Sequence, residues 1–202
     1  MEIELLKFLN NTDCKTPKNV LVIGVIHGDE PQGEFLINKY LKENTIRPLK
    51  NNLFYIPRLN FSNTRKNKNG IDINRNFPTK NWELKDFNDD YFGGYEPNSE
   101  IETKMLVNLI ENNNFDLIIT IHSPYKIVNY DGSAEDIAKI ISNIVKYPVE
   151  KDIGYPTPGS FGTYAGIERN IKTITIEVDE KEYLNSLYIK FEKLFKFLEN
   201  EY

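Results

Sequence analysis

The chain has 202 residues, of which 40% are hydrophobic, 27% charged and 12% aromatic; this balance is typical of one globular domain and excludes a disordered chain. A net charge of −5 argues against a nucleic-acid partner, and no apolar run reaches the roughly 18 residues that a membrane-spanning helix needs. The single cysteine, Cys14, excludes an internal disulfide.

Apolar segments alternate with helical patterns along the chain, which predicts an α/β fold with a mixed, mostly parallel twisted sheet flanked by helices. Residues 19–27 predict a buried strand rich in Val and Ile, residues 31–44 a helix, and residues 53–59 a second strand. Residues 60–98 form a long polar stretch, rich in Asn, Gly and aromatic residues, without a regular pattern. Loops of this length in a compact domain are usually functional or mobile.

The second half of the chain continues the alternation. Ser99 and Glu102 have the spacing of a capping box, which predicts a helix that begins there with Ile101 on its apolar face. No repeat or linker interrupts the pattern, so we expect residues 1–202 to form a single domain. The other predicted elements are strands at 115–122 and 171–178 and helices at 133–146 and 184–198.

Both histidines of the chain follow Val/Ile-rich strands: His27 ends one and His122 ends another. Either histidine alone is more simply a core residue. Ligands of open α/β sheets bind beyond the carboxyl ends of the strands, however, so the two side chains can converge on one crevice. Glu30 follows His27 by three residues, which lets both reach one point from a turn. The three residues predict one Zn²⁺ per chain, with a fourth position open to water.

Glu177 lies in a late strand whose alternation puts Thr173, Thr175 and Glu177 on one face. A buried carboxylate is costly unless it is paired or near a metal. Glu177 is therefore a candidate general base, which would take a proton from the attacking water and give it to the leaving amine. Taken alone, it is equally an ordinary acid at the rim of the sheet.

The segment NGIDINRNFP, residues 69–78, carries planar donors that can hold a carboxylate, namely Asn74 and Arg75. Arg65 lies a short distance upstream and can stabilise the oxyanion that forms when water attacks a carbonyl. By composition alone this segment is a solvated polar loop.

Together these residues resemble the zinc metallocarboxypeptidases, the family of the pancreatic carboxypeptidases. Its H-x-x-E, Asn-Arg, lone His and late Glu occur here in the same order, from His27 to Glu177. The resemblance implies a single catalytic domain with that fold. It also implies that zinc is bound by His27, Glu30 and His122, and that Asp72 orients the first zinc histidine. By the same resemblance, Glu177 is the general base and acid, and Arg65 polarises the scissile carbonyl. The free carboxylate of the substrate would be held by Asn74 and Arg75.

Within this family, NGIDINRNFP and GYPTPGSFG (154–162) resemble the bacterial murein peptide amidases. Those enzymes cleave the γ-D-glutamyl–diaminopimelate amide of a cell-wall tripeptide during recycling, so the resemblance implies a small peptide substrate. Tyr155 is the candidate for the family's substrate-capping tyrosine, and Tyr164 is a second one. We expect the polar loop 81–98 to help bind the distal end of diaminopimelate.

Three alternatives remain open at this stage: a general carboxypeptidase acting on α-linked peptides, an aspartoacylase-like deacylase, and a peptide-binding module without activity. The first ten residues lack the apolar stretch and cleavage site of a secretory signal, which with the single cysteine predicts a cytoplasmic protein. Nothing in the sequence indicates an obligate protein partner.

Overall fold

Strand-forming Val, Ile and Phe residues build a seven-stranded sheet in the computed structural model, which describes residues 3–45 and 47–202. The strand order is β1-β3-β2-β4-β7-β5-β6. Strands β3, β2, β4 and β7 run parallel, while β1 and β5 each pair antiparallel with a neighbour. The strands are β1 (Leu6–Phe8), β2 (Asn19–Ile23), β3 (Asn52–Ile56), β4 (Leu117–His122), β5 (Ile127–Asp131), β6 (Val149–Glu150) and β7 (Lys172–Glu177).

Helices cover both faces of the sheet, as the sequence predicted. One face carries Val20, Tyr55 and Ile174 and packs against three helices in a continuous apolar core. The opposite face carries Leu21 and Ile118 and packs against the remaining α-helix. The helices are α1 (Gln32–Glu43), α2 (Ile101–Glu111), α3 (Glu135–Val145) and α4 (Leu184–Asn200), with a 3₁₀ turn at Ile73–Arg75 and a π-helix at Thr163–Ile167.

On the second face of the sheet, the side chains change from apolar to polar where β7 pairs with β5. Alternation along β7 directs Ile174 and Ile176 into the first core, so Thr173, Thr175 and Glu177 face the opposite way. Because β5 is antiparallel to β7, Asn129 pairs with Thr175 and Asp131 with Thr173 on this polar surface. Asn129, Asp131 and Thr175 line the floor of the crevice described below.

Two details differ from the sequence-based expectations. Strand β2 ends at Ile23, four residues before His27, and its partner strand β3 ends at Ile56, just before Pro57, which has no N–H to donate to a ladder. The capping box at Ser99 and Glu102 does not form: helix α2 begins at Ile101, and the Ser99 hydroxyl bonds instead to Glu100 and Asn76. This start leaves Ile101 70% exposed rather than on the buried face.

No helix in the described part of the chain has both the length and the apolar character that crossing a membrane requires. Met1 and Glu2, which belong to the segment predicted to lack a secretion signal, lie outside the described residues.

Candidate active site

A polar crevice opens where the carboxyl ends of three strands meet. His122 and Glu177 are the last residues of β4 and β7 and are paired neighbours in the sheet. His27 follows the end of β2 on the turn that leads into α1. The crevice is lined by His27, Glu30, Arg65, Asn74, Arg75, Tyr91, His122, Ser123, Tyr125, Asn129, Asp131, Tyr155, Thr175 and Glu177, together with neighbouring loop residues.

Three of these side chains converge on one point. Nδ1 of His27 lies 2.9 Å from Glu30 Oε1, and Nδ1 of His122 lies 2.8 Å from Glu30 Oε2. The two Nδ1 atoms are 3.2 Å apart. Two nitrogen ligands at the usual distance from a tetrahedral zinc ion are about 3.3 Å apart, so the observed spacing fits one zinc ion held by His27, Glu30 and His122.

The electrostatics of the cluster favour a cation. Burial disfavours the charged form of Glu30, but His122 and His27 outweigh this and hold the pKa of Glu30 below its usual range. Burial likewise disfavours the protonated form of His27, yet Asp72 and Glu30 raise the pKa of His27 to about 9. The buried carboxylate of Asp72 and the part-buried carboxylate of Glu30 thus attract positive charge to the imidazole of His27, and a metal ion can take the place of its proton.

Asp72 connects this cluster to the arginines. Its carboxylate has no exposed surface, and its Oδ1 lies 3.3 Å from Nε2 of His27. Oδ2 accepts a hydrogen bond of 2.8 Å from Arg65 Nε, and Oδ1 accepts one of 2.9 Å from the backbone N–H of Asn74. A carboxylate beside Nε2 favours the tautomer that carries its proton there, which leaves Nδ1 free to bind a metal.

Arg65 and Arg75 form a positive wall on one side of the crevice. Their guanidinium carbons lie 5.0 and 5.1 Å from the centre of the Tyr91 ring, which therefore contacts both. Arg75 is buried and donates a hydrogen bond of 2.7 Å to the carbonyl of Asn74. The side chain of Asn74 accepts a hydrogen bond from the backbone N–H of Phe161, which leaves its amide NH₂ available to a ligand.

Glu177 is buried beside His122, and its Oε2 has no hydrogen-bond partner among the described residues. Burial raises the pKa of Glu177, and the charge of His122 only partly opposes this. An unsatisfied carboxylate at the end of a strand, next to His122, has the features of a group that exchanges a proton with water or substrate.

The sequence profile of the zinc carboxypeptidase family matches residues 1–147, which include His27, Glu30, His122, Asp72 and both arginines of the crevice but not Glu177. The chain belongs to this family. It is 30% identical to murein peptide amidase A of Vibrio campbellii, with 78% of this chain and 68% of that protein aligned. It is also 30% identical to murein peptide amidase A of Escherichia coli K12, over 56% of this chain; that alignment spans 50% of the relative.

Solved structures share the zinc carboxypeptidase fold. The murein-tripeptide amidase MpaA from Escherichia coli O157 superposes with a TM-score of 0.79 at 24% identity, covering 96% of this chain and 85% of that one. Carboxypeptidase A from Helicoverpa armigera gives a TM-score of 0.79 at 16% identity, covering 97% of this chain and 64% of that one. These likenesses confirm the predicted fold.

Of the two tyrosines proposed to cap the substrate, Tyr155 lines the crevice and Tyr164 does not. Tyr155 is half-buried in the crevice, with its ring 6.2 Å from that of Tyr91, and burial raises the pKa of Tyr155 to about 12. Tyr164 is fully buried, where its ring packs on Phe77 and under Arg169, so its interpretation as a capping residue is wrong. From its position on the π-helix, the side chain of Tyr164 faces the second apolar core rather than the crevice.

The expectation for loop 81–98 needs a similar correction, because Tyr91 is its only crevice-lining residue within the described chain. The crevice is lined instead by Tyr125 and, on its floor, by Asn129 and Asp131, which the sequence-based reasoning missed. The signal for Asn129 and Asp131 was the alternation in IVNYD (127–131), an apolar–polar pattern typical of a half-buried strand.

Proposed function

We propose that this zinc carboxypeptidase family member hydrolyses the γ-D-glutamyl–diaminopimelate amide of murein tripeptide, with zinc held by His27, Glu30 and His122. The observation that carries the hydrolase part is the convergence of these ligands beside Glu177, whose Oε2 has no hydrogen-bond partner among the described residues. The substrate part is supported by the relatives named murein peptide amidase A.

Zinc, when bound, supplies Lewis-acid activation of water and of the scissile carbonyl. Glu177 takes the proton from the attacking water and delivers it to the leaving amine, a role that its buried, unpaired oxygen and raised pKa suit. Asp72 holds the imidazole of His27 in the tautomer that presents Nδ1 to the metal.

The two arginines of the crevice have different roles, one in substrate binding and one in stabilising the oxyanion. Arg75, with Asn74, binds the free carboxylate next to the scissile amide, since a guanidinium grips a carboxylate with two parallel hydrogen bonds. Arg65 is held through its Nε by Asp72, so its terminal nitrogens remain available for the developing oxyanion. Tyr155, at the mouth of the crevice, covers the bound peptide.

The proposal includes a single catalytic domain over residues 1–202 and a role in recycling cell-wall peptides in the cytoplasm, with a small peptide rather than a protein as the partner. The residues themselves require only an amide bond adjacent to a free carboxylate. The γ-linked substrate therefore depends on the murein peptide amidase relatives.

The decisive experiment is product analysis with purified protein supplied with zinc. We expect release of free diaminopimelate from L-Ala-γ-D-Glu-diaminopimelate, far faster than release of C-terminal residues from α-linked L-peptides of equal length. Glu177→Gln protein is the matched control, because it keeps the three ligands. Comparable rates on α-linked peptides would leave a general carboxypeptidase. Turnover of N-acetyl amino acids alone would favour a deacylase, and binding without turnover a peptide-binding module.

A further inference from the structure

A second pocket adjoins the crevice at the wall formed by Arg65. It is lined by Thr64, Arg65, Lys66, Asp90 and Tyr91, and we call it the Lys66 pocket. Arg65 and Tyr91 line the crevice as well, so a ligand can extend past them from one space into the other. No other crevice residue of the described chain lines the Lys66 pocket, which therefore has no part in the chemistry described above.

The turn that carries Lys66 is fixed to the segment of the first candidate zinc ligand. The carbonyl of Lys66 accepts hydrogen bonds from the hydroxyls of Ser62 and Thr64, the latter 2.9 Å long. The carbonyl of Thr64 accepts a hydrogen bond of 3.0 Å from the N–H of Gly28, which follows His27. A Cβ at Gly28 would overlap the backbone of Ser62, so the glycine permits this close approach. Lys66 is thus held in a defined position relative to His27.

The Lys66 pocket offers a positive charge that the protein itself does not neutralise. Nζ of Lys66 donates one long hydrogen bond, of 3.4 Å, to the carbonyl of Phe87, and no carboxylate of residues 3–45 and 47–202 forms an ion pair with it. An ammonium group has three donors, so two remain for a ligand. Arg65, in contrast, is paired with Asp72. Asp90 is the acid of this pocket, but it is exposed, so water and salt screen its charge.

The proposed substrate carries an anion on the matching side of the scissile amide. In a γ-glutamyl amide the α-carboxylate of the glutamate is free, and its carbon lies about 5 Å from the scissile carbonyl carbon when the chain is extended. Arg65 receives the oxygen of that carbonyl in the mechanism above, and Lys66 follows it directly. The carboxylate on the amine side is assigned to Asn74 and Arg75, neither of which lines the Lys66 pocket.

We propose that Lys66 binds the free α-carboxylate of the γ-linked glutamate and so selects substrates with an anionic acyl group. This inference rests on the proposed function, but it concerns the acyl side of the scissile amide rather than the leaving amino acid. An acyl group without this carboxylate gains nothing from the charge of Lys66, and the difference between the two acyl groups is the selectivity that this residue provides.

The test compares peptides that differ only at this carboxylate. In L-Ala-γ-D-Glu-diaminopimelate the α-carboxylate is kept, converted to its amide, or removed by replacing the glutamate with 4-aminobutyrate. We expect wild-type protein to prefer the carboxylate. Lys66→Gln should lower the ratio of kcat/KM for the carboxylate to that for the amide by about 5- to 20-fold, between the effects of an exposed ion pair and of a buried charged hydrogen bond.

Further variants separate the charge of Lys66 from its contact with the loop. Glutamine keeps a donor for the carbonyl of Phe87, and Lys66→Arg keeps the charge, so Lys66→Arg should retain most of the preference. Lys68→Gln is the matched control, because Lys68 is exposed and lines neither the crevice nor the Lys66 pocket, and it should leave the ratio unchanged. Asp90→Asn removes the acid of the pocket and should not lower the ratio.

The inference is overturned if wild-type protein shows no preference, or if Lys66→Gln leaves the preference intact. If wild-type protein hydrolyses none of the peptides, the proposed function fails. Calorimetric titration with L-Ala-D-Glu and L-Ala-4-aminobutyrate then decides the inference separately. Tighter binding of L-Ala-D-Glu that Lys66→Gln abolishes supports it, whereas equal affinities, or a preference that survives the substitution, refute it.

Discussion

Replacement of Asp72 by asparagine tests how the metal ligands and the arginines are coupled. The carboxylate accepts from Arg65 with one oxygen and faces His27 and the N–H of Asn74 with the other. Asparagine has one acceptor oxygen, so its NH₂ must face a donor on one side. A lost hydrogen bond to a charged group costs about 1.5–3 kcal/mol, or roughly 10- to 150-fold in an equilibrium constant.

The consequence depends on which side receives the NH₂ group. If it faces His27, the ring is no longer held with Nδ1 free, and the zinc dissociation constant should rise about 10- to 100-fold. If it faces Arg65, the oxyanion donor loses its anchor and kcat should fall by a similar factor. We therefore expect a loss in at least one quantity, measured by competition with a chelator and by kcat at saturating zinc.

Glu100→Gln provides the control for removal of any buried carboxylate. Glu100 is buried and accepts hydrogen bonds from Asn67 and Asn69, outside the crevice. The Glu100→Gln substitution should lower the melting temperature of the protein without changing its affinity for zinc. An Asp72→Asn protein that folds, binds zinc within twofold of wild type and keeps its kcat would refute the role assigned to Asp72.

Further predictions concern the ligands, the base and the arginines. His27→Ala and His122→Ala should each lose most of the zinc found by elemental analysis; a full equivalent in both contradicts the ligand assignment. Glu177→Gln should keep zinc and lower kcat by about 10²–10⁴-fold, and near-normal turnover would remove Glu177 from the mechanism. Burial raises the pKa of Glu177, and only the ionised carboxylate can act as the base. As the pH is lowered, wild-type activity should therefore begin to fall at a higher pH than it would with an ordinary glutamate as the base. Arg75→Ala should mainly raise KM and Arg65→Ala mainly lower kcat; the reverse pattern in steady-state kinetics would exchange their roles.

The part of the site that lies at strand ends was predictable from the sequence. Val/Ile-rich runs mark buried parallel strands, whose carboxyl ends meet at one edge, so His122 and Glu177 were expected near each other. The structure makes them paired neighbours. His27 was expected at the same edge, and it lies there even though β2 ends four residues earlier. Sheet topology fixes these positions without any loop detail.

The walls of the crevice depend on interactions that no local pattern shows. Tyr91 was one of many aromatic residues in a long polar segment, and only its contacts with Arg65 and Arg75 distinguish it. Strand β5 is short and pairs antiparallel at the far side of β7, so its alternation could not be assigned to a face without that pairing. The prediction that Tyr164 caps the substrate was wrong because the π-helix directs this side chain into the apolar core.

The carboxylates of the crevice divide into two pairs by the environment that the fold gives them. Glu30 and Asp72 contact histidines or an arginine, and these partners hold their pKa values below the usual range against the effect of burial. Within the described residues neither Glu177 nor Asp131 is hydrogen-bonded to a histidine or an arginine, and burial raises their pKa values, with the nearby His122 only partly opposing this at Glu177. Opposite shifts in neighbouring acids indicate different tasks. The first pair suits cations that belong to the holoenzyme. In the second pair, Glu177 suits positive charge that arrives with the reaction, namely the proton of the attacking water.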